Sequence, residues 1–152
     1  MQEIICNTVE MACTPEQLYA YVTQPWLWHE WHPNSQSAQA EVSVLCVGDE
    51  FSESIVLQPL LPLPLTLRRA TRYQVLDAVP AKFWRVSGKM RDGWLQIHYE
   101  FEPSAIGTRF TRTLTFSATG LSALMMPLLR RRMRAMSVVA LNNLTQRAAE
   151  LQ

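Results

Sequence analysis

Basic residues are missing from the first 67 positions of this 152-residue chain, and other residue types are scarce throughout. There are five glycines and three cysteines. So little glycine rules out a collagen-like fibre, and 18% charged residues beside 48% hydrophobic ones rule out a disordered tail or a coiled coil. Cys6, Cys13 and Cys46 are odd in number and show no C-x-x-C spacing, which argues against a disulfide framework or a zinc knuckle and for reduced thiols in a cytoplasmic protein. No basic stretch precedes an apolar one at Met1-Gln2-Glu3, so a signal peptide is not expected. The longest apolar runs, around Leu60–Leu67 and Leu121–Leu129, are broken by prolines and fall far short of the ~20 residues that span a bilayer. A transmembrane segment is therefore not expected.

The missing basic residues make the charge lopsided. Residues 1–67 hold eight acids, whereas all fourteen basic residues lie from Arg68 onward with five acids. The net charge is only +1, so the whole molecule is not drawn to nucleic acid. The expected arrangement is one fold, over residues 1–152, in which the two halves partly neutralise each other. At this length a chain buries roughly 70% of its unfolded surface, enough for a core of its own.

Hydrophobic periodicity organises the chain. Residues 2–11 read as a strand. Thr14-Pro15-Glu16-Gln17 then places threonine at the N-cap, proline at the first helical position and glutamine at N3, a capping box that starts a short helix ended by Pro25. Pro25–Pro33 carries Trp26, Trp28 and Trp31 and reads as a second short helix. From there the period becomes two, and segments 38–46, 50–58, 65–77, 82–88, 94–102 and 108–118 read as strands separated by turns rich in Gly, Pro and Asp. Clean alternation at Leu95, Ile97, Tyr99 and Phe101, and again at Phe110, Leu114 and Phe116, implies an antiparallel sheet with one buried face. After Gly120 the period turns helical. A helix from Pro127 to Leu151 would be roughly 37 Å long at ~1.5 Å per residue, enough to cross a seven-stranded sheet.

Four motifs in this order resemble the START-like, or SRPBCC, superfamily, which includes bacterial polyketide cyclase/dehydrase-like proteins and the birch-pollen allergen. They are Cys13–Tyr19 at the helix start, Trp28–Pro33, the Val47-Gly48-Asp49-Glu50-Phe51 turn, and Tyr99–Pro103 followed by Gly107–Thr111. The proline-laden Gln58–Leu65 stretch departs from the tighter turn of relatives. The resemblance implies an α+β helix-grip fold: a curved seven-stranded antiparallel sheet around a long C-terminal helix, with two short helices after strand one. It further implies a cavity between sheet and helix that takes a hydrophobic or amphipathic small molecule such as a lipid, polyketide or aromatic compound. The protein would then be a carrier or sensor, or alternatively a cyclase or dehydratase.

In such a fold the inward positions would line the ligand: Trp28 and Trp31 from the second short helix; Phe51, Glu53 and Ile55 from the third strand; Leu67, Arg69 and Tyr73 from the fourth. Ile97, Tyr99, Phe110, Arg112 and Leu114 would follow from the last two strands, and Met133 and Met136 from the helix. Glu53, Arg69 and Arg112 break the apolar pattern. Buried charges need partners, so a Glu53–Arg69 pair is expected, with Arg112 as a bidentate anchor for a ligand oxygen. His29, Glu30 and His32 offer only an H-x-x-H spacing, too few ligands for zinc, so no metal is expected. Without a nucleophile motif or phosphate-binding glycine loop, no cofactor is expected either. Arg130, Arg131, Arg132 and Arg134 behind the apolar Leu121–Leu129 segment leave contact with a lipid surface or a protein partner open. Monomer and homodimer both stay open.

Overall fold

Period-two alternation becomes seven antiparallel strands. A computed structural model describes residues 2–58, 63 and 66–151. The strands are β1 (Gln2–Met11), β2 (Ser35–Ala40), β3 (Glu50–Leu57), β4 (Leu67–Val79), β5 (Phe83–Met90), β6 (Gly93–Pro103) and β7 (Thr108–Ala118). They form one curved sheet in the order β1-β7-β6-β5-β4-β3-β2, so the first strand closes against the last. Helix α1 (Pro15–Val22) and a 3₁₀ segment (Pro25–Glu30) carry the chain from one sheet edge to the other. A short helix α2 (Gly120–Leu124) leads into α3 (Met126–Glu150).

The local signals act as their chemistry predicts. Thr14 Oγ1 accepts from the Gln17 amide at 3.1 Å while Gln17 Oε1 accepts from the Thr14 amide at 3.0 Å, the reciprocal capping box. Pro15 and Pro127 each sit in the first turn of a helix, where a missing N–H costs nothing. Helix α3 turns Met126, Leu129, Ser137, Ala140, Leu141, Leu144 and Ala148 inward. Bulges between Ser35 and Ser37 and between Val75 and Asp77 add to the bend of the sheet. No helix among the described residues is long and apolar enough to cross a membrane.

One strand differs from its expected place. The pattern predicts an extended chain over 38–46, but β2 ends at Ala40. Beyond it residues 41–44 are all exposed before Leu45 is buried, so the alternation stops. A turn ties this segment down instead: Cys46 N–H donates to Asp49 Oδ2 at 2.7 Å, and Gly48 N–H donates to the Val75 carbonyl of β4 at 2.9 Å. Leu65, the expected first residue of the fourth strand, and most of the Gln58–Leu65 stretch lie outside the described residues.

Charge neutralisation between the two halves is partial. Arg130 meets Glu3 and Arg72 meets Glu50, but Arg69–Asp92, Arg85–Asp77 and Arg147–Glu150 pair within the basic half.

Gly88 on β5 lies directly opposite Tyr73 on β4. A Cβ built there would stand 2.7 Å from the Tyr73 ring and 2.8 Å from the Thr71 methyl. The missing side chain is what lets Tyr73 lie across the sheet. Gly88→Ala should therefore overpack this spot and cost about 1–3 kcal/mol, read as a lowered urea midpoint at unchanged m-value.

Candidate functional site

Strand alternation that buries Phe51 also turns Glu53 inward, and β7 does the same for Arg112 between Phe110 and Leu114. Both charged side chains are almost fully buried. Glu53 Oε1 accepts from the Tyr73 hydroxyl at 3.0 Å, across the β3–β4 pair. The Arg112 guanidinium donates through Nη1 to Ser137 Oγ of α3 at 3.2 Å, and its Nη2 lies 3.4 Å from His32 Nε2. Arg112 Nε and Trp31 Nε1 have no hydrogen-bond partner among the described residues, and no carboxylate there pairs with Arg112. Tyr99, cross-strand partner of Arg112, is buried beside it.

These groups perturb one another. Burial pushes the Glu53 carboxyl up to about 7, although the hydroxyls of Ser35 and Tyr73 and the Arg112 charge pull the other way. Burial, then the Arg112 charge, pushes His32 down to about 3, so its imidazole is neutral. Burial also raises the Tyr73 and Tyr99 phenols. His32 Nδ1 accepts from the Asn34 amide at 3.2 Å, which puts the imidazole proton on Nε2, facing Arg112. Two N–H groups thus face each other, with the Tyr99 hydroxyl beside the guanidinium. Below about pH 7, where Glu53 is mostly protonated, the site is a cationic donor cluster in apolar surroundings.

The cluster opens on a hollow of about 50 Å³ between sheet and helix. Trp28, Trp31, Ile55, Leu57, Leu95, Ile97, Leu114 and Met133 wall it, with Glu53, Tyr73, Tyr99, Arg112 and His32 at the polar end. A second lobe, again about 50 Å³, shares Ile55, Leu57, Leu95 and Met133 and continues past Leu67, Arg69 and Phe116 toward Met126 and Leu129. Small-molecule sites commonly measure about 300–1,000 Å³, so this is a narrow channel rather than a roomy chamber. Rings take up the space: Trp28 stands edge-on to Phe51, Tyr73 and Trp84, with Phe51 stacked on Tyr73 at 4.7 Å. Larger depressions of about 440 and 670 Å³ lie outside along β2, but they open to solvent and their Glu41, Glu50 and Arg72 are exposed.

Twelve of the fifteen expected lining residues border one lobe or the other. Phe51, Phe110 and Met136 do not: Phe51 stacks on Tyr73, Phe110 packs on Tyr99 and Phe101, and the Met136 sulfur accepts from Arg132. The expected Glu53–Arg69 pair is also corrected. Arg69 stands opposite Ile55, one inward step further along β3, and grips Asp92 in the β5–β6 turn through Nε and Nη2 at 3.0 and 2.8 Å. This hydrogen bonding holds the Asp92 carboxyl below its usual range, and Ser122 of α2 bonds to the same carboxylate. The His29, Glu30, His32 group is split, with His29 exposed, Glu30 bonded to the Tyr21 hydroxyl and His32 alone in the cavity. No group of three or more metal-ligating side chains converges among the described residues. Sequence reading missed Leu57 and Leu95, which the alternation already put in phase, and Ser137, a polar residue whose role depends on Arg112 across the cavity.

The model of the family described as polyketide cyclase / dehydrase and lipid transport matches residues 4–149. The chain belongs to this family. Its fold is the SRPBCC helix-grip fold. The Zhui aromatase/cyclase from Streptomyces sp. R1128 is 10% identical with a TM-score of 0.73, over 98% of this chain and 94% of that one. A protein of Thermus thermophilus is 15% identical with a TM-score of 0.69, over 99% and 98%. The di-domain ARO/CYC of the steffimycin pathway is 15% identical with a TM-score of 0.70; this chain is covered to 99% and spans 52% of that one. Identities this low establish the shared fold. No curated protein matches the chain.

The opposed shifts of Glu53 and His32 give stability a readable pH dependence. Glu53 titrates ordinarily at 4.5 and near 7 when folded, so stability intact below 4.5 is lost as pH rises through 7. His32 goes from 6.5 to about 3, so stability present above 6.5 is lost as pH falls toward 3. Between 4.5 and 6.5 the two effects oppose each other. In Glu53→Gln the His32 effect is uncompensated, and stability should fall on acidification across this window by on the order of 1 kcal/mol per pH unit. In His32→Asn the slope should reverse. Urea melts across the window test this, and variant curves parallel to wild type rule the assignment out.

Proposed function

We propose that this protein is a cytoplasmic carrier or sensor of a slender hydrophobic or amphipathic small molecule, whose oxygen-bearing end lies at Arg112 and whose apolar part runs along the channel toward Met133. One observation carries this reading: a buried guanidinium with an unpartnered Nε and no pairing carboxylate among the described residues, next to a second unmatched N–H on His32. A buried unpaired charge is costly, and a carboxylate or carbonyl oxygen placed there would satisfy Arg112 and His32 together. Narrow lobes favour a chain or single ring over fused polycycles. Of the residues expected at the ligand, Trp28, Trp31, Ile55, Ile97, Leu114 and Met133 would supply apolar wall, and Glu53, Tyr73, Tyr99 and Arg112 the polar end.

A second reading, a cyclase or dehydratase, draws on the Glu53 carboxyl. Titrating near 7 beside Tyr73, it suits proton transfer to or from a bound carbonyl compound at neutral pH. The aromatase/cyclase activity in the name of the Streptomyces neighbour supports it. Under this reading Glu53→Gln would abolish turnover of a short poly-β-keto thioester while leaving its binding intact.

The carrier reading is tested by calorimetry with octanoate and octanol. Arg112→Gln should weaken octanoate about 10–100-fold, the ~1.5–3 kcal/mol of a charge-assisted hydrogen bond, and change octanol far less. Ionised Glu53 repels a carboxylate, so octanoate should bind more tightly at pH 6 than at pH 8, and Glu53→Gln should remove that difference. Equal loss of both probes in Arg112→Gln would defeat the anchoring role.

A further inference from the structure

The outer face of helix α3 mixes exposed apolar side chains with arginines. Leu128, Arg131, Ala135 and Val138 follow each other at i, i+3, i+7 and i+10, so they form one stripe, and all are exposed. Just upstream, α2 leaves Leu121 and Leu124 exposed at 68% and 81%. Unpaired basic groups lie further along α3, Arg131 one turn beyond Leu128. Arg130 is held by Glu3 and Arg132 bonds to Met136, but Arg131 and Arg134 are exposed and have no partner among the described residues. Between Glu102 and Glu150 the sequence contains no acid and seven arginines.

We infer that α2 and the first half of α3 form a docking surface for an anionic lipid bilayer, the leucines entering the headgroup layer and Arg131 and Arg134 meeting lipid phosphates. Protruding leucines beside unneutralised arginines match both parts of such a surface, apolar and anionic. A second copy of the chain fits poorly, because a two-fold contact would bring the same arginines face to face. The inner side of these elements supplies Ser122, Met126 and Leu129 to the second lobe, so the docked face would lie directly over the channel's far end. Docking itself does not require the channel to be occupied, and its test needs no ligand.

The test is co-sedimentation of the full chain with vesicles of phosphatidylcholine plus phosphatidylglycerol, and with vesicles of phosphatidylcholine alone. Wild type should pellet with the mixed vesicles, weakly with the neutral ones, and less as salt is added. Arg131→Glu/Arg134→Glu and, separately, Leu124→Ser/Leu128→Ser should each lower partitioning roughly tenfold or more, whereas Arg131→Lys/Arg134→Lys should keep it. All these side chains are exposed, so unchanged melting curves will show that the variants fold. Failure of wild type to pellet overturns the inference, as does equal pelleting of the glutamate variant. So does a concentration-dependent dimer that the serine variant abolishes, which would assign the face to a second copy. None of these outcomes bears on octanoate binding.

Discussion

An arginine brought into an apolar interior must find counter-charge, water or ligand oxygen, and this requirement organises the centre of the molecule. Arg112 reaches that position because β7 alternates strictly, with Phe110 and Leu114 pointing the same way. It donates to a hydroxyl rather than a carboxylate, that of Ser137 from the helix, with the neutral His32 imidazole beside it from the segment after the first short helices. The nearest buried acid, Glu53, is held by Tyr73 and is itself pushed toward neutrality by burial. The consequence is a cationic end to an otherwise apolar channel, an arrangement that adds little to stability.

The same packing that makes the site also limits its size. A curved sheet and one straight helix cannot interdigitate along their whole length, so some space remains, but Trp28, Trp31, Tyr73 and Tyr99 fill most of it. Tyr73 depends on the absence of a side chain at Gly88. Trp28 is fixed by its Nε1 donating to the Val22 carbonyl, and the Asn143 amide of α3 secures the Trp31 carbonyl. Such anchored rings form rigid walls. Met133, which borders both lobes, is the adaptable side chain between them, an unbranched thioether able to change rotamer at low cost.

Much of this was legible from residues alone, for a physical reason. Strands β6 and β7 carry one buried face each, so alternation named their inward residues, and the Thr14 capping box placed α1 because its chemistry is entirely local. Where alternation met a turn that closes through distant atoms, as at Cys46–Asp49 with Val75, the strand boundary was misjudged. Pairing of charges was less legible still. Glu53 and Arg69 do share the inward face, but which of two diagonal neighbours each meets depends on register and on the Asp92 turn, neither of which a single strand's sequence encodes. His32 could be flagged only as a member of a histidine pair. Its turn into the cavity follows from the Pro33 break and the Asn34 amide behind its ring.

The two ends of the channel are held by unlike forces, and this bears on how a molecule would enter. At the Arg112 end, buried aromatic rings and a cross-cavity bond to Ser137 tie sheet to helix. At the other end, Ser122 and the Thr119 backbone N–H tie α2 to Asp92, itself clamped by Arg69, with the Arg69–Asp92 pair about a fifth to a quarter exposed. Solvent reaches and partly screens this pair, although its two-pronged geometry strengthens it, whereas unpacking a buried aromatic costs about 3–5 kcal/mol. The weaker closure is thus the α2 end, beneath the exposed leucines. Passage there would require the Asp92 clamp to open and the buried Met126 and Leu129 to move along with Met133, while the contacts at the Arg112 end stay in place.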